Sequence, residues 1–407
     1  MMLVKNSLVS KVVLVIFLLI IFILLFTFFC SQLLDASNKP LWRDEWFGLK
    51  VSVGSASYAG LLLRGAAGQA TPAPLDYLAV KFFDQIKEAV NYFSLPPRAY
   101  FRLFSNLAAL FGLLLIVALF ALDIQRLERS RGEQLAYFFL LICVLVAYLY
   151  NEFLYFFAAE ARPYALWTIL WFMSAALFLL EGRKKFLILA LIALSFSATA
   201  SLFQLFSIGF AFTVVELFQG KKLKQVMTAD LKLFLLPFLI TIFYASRSNY
   251  QGQFDFSDPA GFEFMNFWAN EFGRFHIVLG VLGLCLINKG ARKYAVVPLG
   301  LLILYGLGPL VNWLALSRGF FFAPRHYLYY RLCTPLAILV LIKCLPVYLK
   351  NIKNRKMIIF ICLLVTVSIS AATFRKKTVK TIRQAFKNTS VFLEQGLPMI
   401  EDKALEK

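Results

Sequence analysis

Two histidines, His276 and His326, are all that this chain of 407 residues contains, and their separation excludes a histidine-based metal site. Six cysteines (Cys30, Cys143, Cys285, Cys333, Cys344 and Cys362) lie mostly inside apolar segments and lack the paired spacing of metal ligands, so they count as small hydrophobes. Carboxylates are scarce, 22 against 42 lysines and arginines, which leaves a net charge of +20. Such an excess suggests nucleic acid only when the cations share a face. Here they are confined to short loops between apolar runs, the positive-inside pattern of a membrane protein, and nucleic acid is excluded as a partner. No internal repeat or low-complexity stretch is visible, so the chain reads as one membrane domain. No small-x-small cleavage site closes the first apolar run, 12–30, which follows Lys5 and Lys11. We expect that run to be a membrane anchor, because it is too long for a signal peptide.

What the sequence has in abundance is apolar length. Hydrophobic residues make up 60% of the chain, with 44 phenylalanines, and mean hydropathy is +0.74. Lipid satisfies no backbone group, so only helices or a closed barrel can cross it. The runs are continuous and not alternating, which selects helices. Membrane helices are expected near 12–34, 99–122, 134–150, 163–180, 186–200, 202–219, 230–246, 273–288, 294–316, 328–347 and 356–374. The stretch 186–219 is divided because basic clusters flank both ends, Arg183, Lys184 and Lys185 before it and Lys221, Lys222 and Lys224 after it. Both clusters belong on one side, so two short helices with a turn near Ser201 fit better than one long helix. With the N-terminus inside, the basic loops fall in the cytoplasm and the long segments 35–98, 151–162, 247–272 and 317–327 fall outside. The expected organisation is a membrane-embedded domain over 1–374, with its largest external loop at 35–98, and a short basic tail over 375–407. That tail opens with Arg375, Lys376, Lys377, Lys380, Arg383 and Lys387, against the charge rule, and reads either as a miscounted helix or as an amphipathic segment on the outer leaflet.

The first external loop opens with Leu41-Trp42-Arg43-Asp44-Glu45-Trp46-Phe47-Gly48, two adjacent carboxylates just beyond the first helix. Tryptophans favour the membrane interface. A carboxylate between them can meet a lipid-borne and a water-borne substrate together, and as a general base can take a proton from an acceptor hydroxyl. Judged on charge alone, Asp44 and Glu45 are ordinary solvated acids beside Arg43.

The wider pattern resembles the GT-C glycosyltransferases of the protein O-mannosyltransferase and aminoarabinose transferase type. In that superfamily an Asp-Glu pair follows the first helix. A Pro-Pro-Leu-Tyr-Tyr-like segment comes later in the same loop, matched here by Pro72-Ala73-Pro74-Leu75-Asp76-Tyr77-Leu78. An Arg-Leu-Pro-Ser-type start of the second helix is matched by Arg102-Leu103-Phe104-Ser105, and Glu160-Ala161-Arg162-Pro163-Tyr164-Ala165-Leu166 reproduces the usual start of the fourth without a substitution. Pro324-Arg325-His326-Tyr327 and Pro335 echo a late Arg-Tyr element. The match covers the first 180 residues well and the rest loosely, and its specificity lies in the order and spacing of the elements.

The resemblance implies a GT-C-type bundle of about 11 transmembrane helices whose long first external loop holds short interfacial helices. It implies an inverting enzyme of the inner (plasma) membrane, active on the periplasmic or extracellular side. Such an enzyme moves a sugar from a polyprenyl-phosphate donor to a glycan, glycolipid or protein acceptor. Asp44 is the implied base, Glu45 and Glu160 the other acids of the site, and Arg162, Arg102, Arg325 and Arg331 the cations for the donor phosphate. Arginine suits that task through its forked, permanently charged donors, although any single interfacial cation can equally snorkel to lipid headgroups. Thr71 stands where the family usually has a histidine, and Ser201 and Gln204 lie where an external histidine is common. A divalent metal therefore stays open as a cofactor. Two other readings compete: an O-antigen ligase or polymerase, whose large external loop usually comes late, and a lipid-linked-sugar flippase, which commonly shows paired repeats and broken helices at the bilayer midplane.

Overall fold

The computed structural model describes residues 8–41, 45–46, 48–50, 57–65, 73–86, 95–126, 131–160, 162–180, 184–226, 232–247, 259–316, 324–350 and 376–397, and among them there is no strand. We number the main helices α1 (Leu8–Asn38), α2 (Tyr58–Arg64), α3 (Leu75–Gln85), α4 (Pro97–Arg126), α5 (Arg131–Leu149), α6 (Glu152–Ala158) and α7 (Tyr164–Phe178). They continue as α8 (Lys184–Ser197), α9 (Ser201–Phe218), α10 (Lys232–Ala245), α11 (Pro259–Ile287), α12 (Val296–Leu316), α13 (Cys333–Lys350) and α14 (Lys376–Gln395). Among the described residues five spans are long and apolar enough to cross a bilayer, and seven when the bent pairs α5–α6 and the two arms of α11 each count as one. The chain is thus an all-α membrane protein.

The shorter helices α7, α8 and α10 have 15, 14 and 14 residues. At 1.5 Å per residue α7 is about 22 Å long, short of the ~30 Å hydrocarbon core. It makes up for length by position. Nearly every α7 side chain is buried, Trp171 and Phe172 completely, so it is an inner helix. Gly112 lets α4 approach it, because a Cβ there would collide with Ile169. The expected division of 186–219 is present: α8 ends at Ser197, α9 starts at Ser201, and the Ser201 hydroxyl closes the turn on the Leu194 carbonyl at 2.8 Å.

Three elements depart from the sequence expectation. Residues 151–162, read as a loop, contain α6, which turns 61° from α5. Asn151 caps it, its side-chain oxygen accepting from the Phe153 and Leu154 amides. α11 begins at Pro259 instead of near 273, because proline is at ease in a first helical turn, and it bends by 50° around Gly273. The late helix starts at Cys333 instead of near 328, preceded by a 3-10 segment, Pro324–Leu332, that packs Tyr327, Tyr329 and Tyr330 inside the bundle. The expected span 356–374 lies outside the described residues.

Contacts between distant residues fix which helix ends meet. At one end Arg102 at the start of α4 holds the end of α1, and Tyr244 of α10 donates to the Leu62 carbonyl of α2. At the other end Lys343 of α13 pairs with Asp123 of α4 at 2.7 Å. The basic tail forms α14 against α1: the Asn388 amide donates to Ser31 (3.0 Å) and Asp35 (2.9 Å), and the Thr389 hydroxyl to the Thr27 carbonyl (3.1 Å). α14 therefore joins the end of the bundle where α1 terminates.

Candidate functional site

At that end Glu45, Asp76, Arg102, Glu160 and Arg162 gather. Arg102 is completely buried, and all five of its N–H groups are taken by protein acceptors. Nε and Nη2 grip the Glu45 carboxylate at 3.0 and 2.6 Å. Nη1 donates to the carbonyls of Ala36 (2.7 Å) and Lys39 (2.6 Å), and Nη2 also to Pro40 (3.0 Å). Arg102 thus fastens the start of the first loop onto α4. It has no donor left for a phosphate, and its side chain acts as a strut.

Glu160 follows α6 and is buried, with its carboxylate on the Lys39 ammonium at 2.7 Å. Lys39 also lies over the Phe156 ring, 3.6 Å from its centroid. Burial raises the Glu160 pKa above the usual carboxylate range; Lys39 opposes the shift, the nearby Glu45 charge adds to it, and Arg162 works against it. Glu45 and Glu160, far apart in sequence, are therefore close enough to feel each other's charge.

Asp76 is the site residue that sequence reasoning passed over. It sits in the first turn of α3, 3% exposed, and its Oδ1 has no hydrogen-bond partner among the described residues. Desolvation pushes its pKa up to about 7, and the positive charge of Arg162 is the one influence that lowers it. Arg162 is half-buried, with its guanidinium beside the Tyr164 ring and a 3.4 Å contact to the Tyr164 hydroxyl. The signal was on view in the segment Pro74-Leu75-Asp76-Tyr77: a lone carboxylate in an otherwise apolar helix start.

The remaining expected residues divide. Asp44 lies outside the described residues, although Glu45 beside it belongs to the cluster. Arg325 is the second residue of the 3-10 segment, and its side chain is outside the described set. Arg331 pairs with the buried Glu271 at 2.7 Å and lies over the Phe153 ring, 4.1 Å from its centroid, which puts it at the junction of α11, α6 and α13 with much of its charge already neutralised. Among the described residues no three His, Cys, Asp or Glu side chains come close enough together to hold a metal ion. Each of these carboxylates answers instead to a cation: Glu45 to Arg102, Glu160 to Lys39, Asp76 to Arg162. Chemically the cluster offers one carboxyl that exchanges a proton near neutrality and a half-buried guanidinium beside it.

No family model matches the chain, and no curated protein is significantly similar to it.

Proposed function

We propose that the protein is a multi-pass membrane glycosyltransferase that moves a sugar from a polyprenyl-phosphate donor to an envelope glycan, glycolipid or protein acceptor. The supporting observation is the meeting of Glu45, Asp76, Glu160 and Arg162, from three separate stretches of chain, at one end of an apolar bundle. That is where a phosphate carried on a lipid tail and an acceptor from water can reach the same groups. The reading places the bundle in the inner (plasma) membrane with eleven spans, the eleventh at 356–374, and puts the cluster on the periplasmic or extracellular face.

In this reaction a carboxylate removes the acceptor hydroxyl proton as the oxygen attacks the anomeric carbon. The bond from that carbon to the phosphate oxygen breaks, its electron pair leaves with the phosphate, and the sugar centre inverts. Asp44 is the proposed base. Asp76 is the alternative, since its carboxyl gains and loses a proton near pH 7 and has an unpartnered oxygen. Arg162 is the proposed counter-charge for the leaving phosphate, because a guanidinium stabilises charge growing on a phosphate oxygen. Glu45 and Arg102 hold the loop that carries Asp44.

The test is transfer of sugar from a polyprenyl-phosphate donor by purified protein, with Asp44→Asn and Asp76→Asn beside wild type. Loss of transfer in Asp44→Asn, with normal insertion, supports the reading and its base. Full activity in both variants removes the proposed base chemistry. Movement of intact donor across the bilayer without sugar transfer would favour a flippase.

A further inference from the structure

The end of the bundle opposite Glu45 contains a second unassigned feature. The last turns of α9 and α11 and the first turn of α12 leave a cavity of about 200 Å³ between them. Its walls are apolar, chiefly Val214, Phe218, Leu282, Leu286 and Leu299, and its one charged lining residue is Arg292. Val214, Phe218 and Leu286 are exposed, so the cavity opens sideways to whatever surrounds the bundle.

Arg292 is held in place without being used up. Its Nε donates to the Leu286 carbonyl at 3.2 Å, and its guanidinium sits 5.0 Å from the Phe218 ring centroid. Its two terminal nitrogens donate to no acceptor among the described residues. Exposed lysines stand in the adjoining stretches of chain: Lys289 and Lys293 on either side of Arg292, and Lys222 and Lys224 after α9. The nearby acid Glu216 is paired with Lys221. An apolar slot with an unspent forked cation at its mouth, flanked in the chain by exposed lysines, matches an anionic lipid by shape and by charge.

We infer that this groove binds one anionic glycerophospholipid, its acyl chain lying between α9, α11 and α12 and its phosphate on Arg292. The acyl chain alone gives no selectivity, because every bilayer lipid has one and lipid tails are as apolar as the leucines of the wall. Preference between lipids comes from the headgroup. A phosphate whose charge is not cancelled by choline meets the Arg292 fork, and hydrogen bonds to charged groups of this kind correspond to about tenfold or more in affinity.

The experiment is native mass spectrometry of the full chain, released from detergent containing phosphatidylglycerol or phosphatidylcholine with identical acyl chains. One phosphatidylglycerol is expected to survive on the wild type at about tenfold lower lipid concentration than phosphatidylcholine. Arg292→Gln should erase that preference, whereas Lys289→Gln and Lys293→Gln should only weaken it. Val214→Trp, which fills the slot from its exposed side and keeps Arg292, should lose the bound lipid of either kind. Equal retention of the two lipids by wild type overturns the inference, as does equal loss from the lysine variants and Arg292→Gln, which would mean diffuse attraction. Release of the lipid by excess inorganic phosphate, with Val214→Trp still binding phosphate like wild type, would reduce the site to an anion contact and sink the acyl groove. If Arg292→Gln fails to remain monodisperse, Val214→Trp and the two-lipid comparison still decide.

Discussion

Arg102 and Glu45 meet in a two-point contact sealed from water, and the same guanidinium holds the carbonyls of Ala36, Lys39 and Pro40. Removing one partner of a buried pair strands the other charge, at a cost of about 3–5 kcal/mol. Arg102→Gln is therefore expected to lower the thermal midpoint in detergent markedly and to make the protein more sensitive to protease. Arg102→Lys should rescue little, because one ammonium cannot reach five acceptors arranged for a planar fork. A lysine variant with wild-type stability and protease resistance would show that charge alone does the work.

Asp76 makes a pH-dependent prediction. Folding raises its pKa from the ordinary 3.8 to about 7, so the folded protein keeps a proton that the unfolded chain has given up. Stability from this group is fully present below about pH 4 and is lost as pH rises through about 7. Asp76→Asn imitates the protonated form. Its melting temperature should exceed wild type most at about pH 8, the gap should narrow as pH falls and close near about pH 4, and the infrared stretch of a protonated carboxyl should vanish from the neutral-pH difference spectrum. Parallel curves for the two proteins across that range would place the ionisation elsewhere.

Much of the bundle was legible because its signals are local. Basic clusters on both sides of 186–219 demanded an even number of crossings, and the turn at 198–200 follows. The Glu160-Ala161-Arg162-Pro163 start pointed to a charged site beside α7, where Glu160 and Arg162 sit. What stayed hidden depends on contacts between distant residues. Arg102 reads as a free cation in sequence, since nothing in the chain announces three carbonyls and a carboxylate closing around it. Asp76 stands out in the chain only as a lone carboxylate in an apolar helix start, and its burial follows once α3 is folded onto α4 and α8.

Lys39 and Glu160 join the first loop to the start of α7 through one 2.7 Å contact with little solvent. Lys39 is also the first influence holding the Glu160 pKa down against desolvation. Lys39→Met should raise that pKa further, while Glu160→Gln strands the ammonium over Phe156. A double-mutant cycle is expected to return a coupling of about 1–3 kcal/mol, with the double variant more stable than the sum of the singles predicts. Strict additivity would mean that water, not the partner, satisfies each charge.

Asn388 is the point at which the tail helix is fastened to the body, its amide shared between the Ser31 hydroxyl and the Asp35 carboxylate, which Tyr155 of α6 also contacts. Three elements, α1, α6 and α14, therefore converge on one polar node, while Lys377 pairs with Glu152 farther along α14. Asn388→Ala removes the amide and is expected to cost about 1–3 kcal/mol, the usual penalty for a buried acceptor losing its donor. Asn388→Asp should cost more, because it faces Asp35 with a second carboxylate where the amide had donated. Lys377→Gln should change little, since both partners of that pair are solvent-exposed. The ranking Asp below Ala below Gln in melting temperature, with α14 becoming protease-sensitive in the same order, separates a specific lock from a helix held only by its apolar face; equal effects of the two Asn388 variants would speak for the latter.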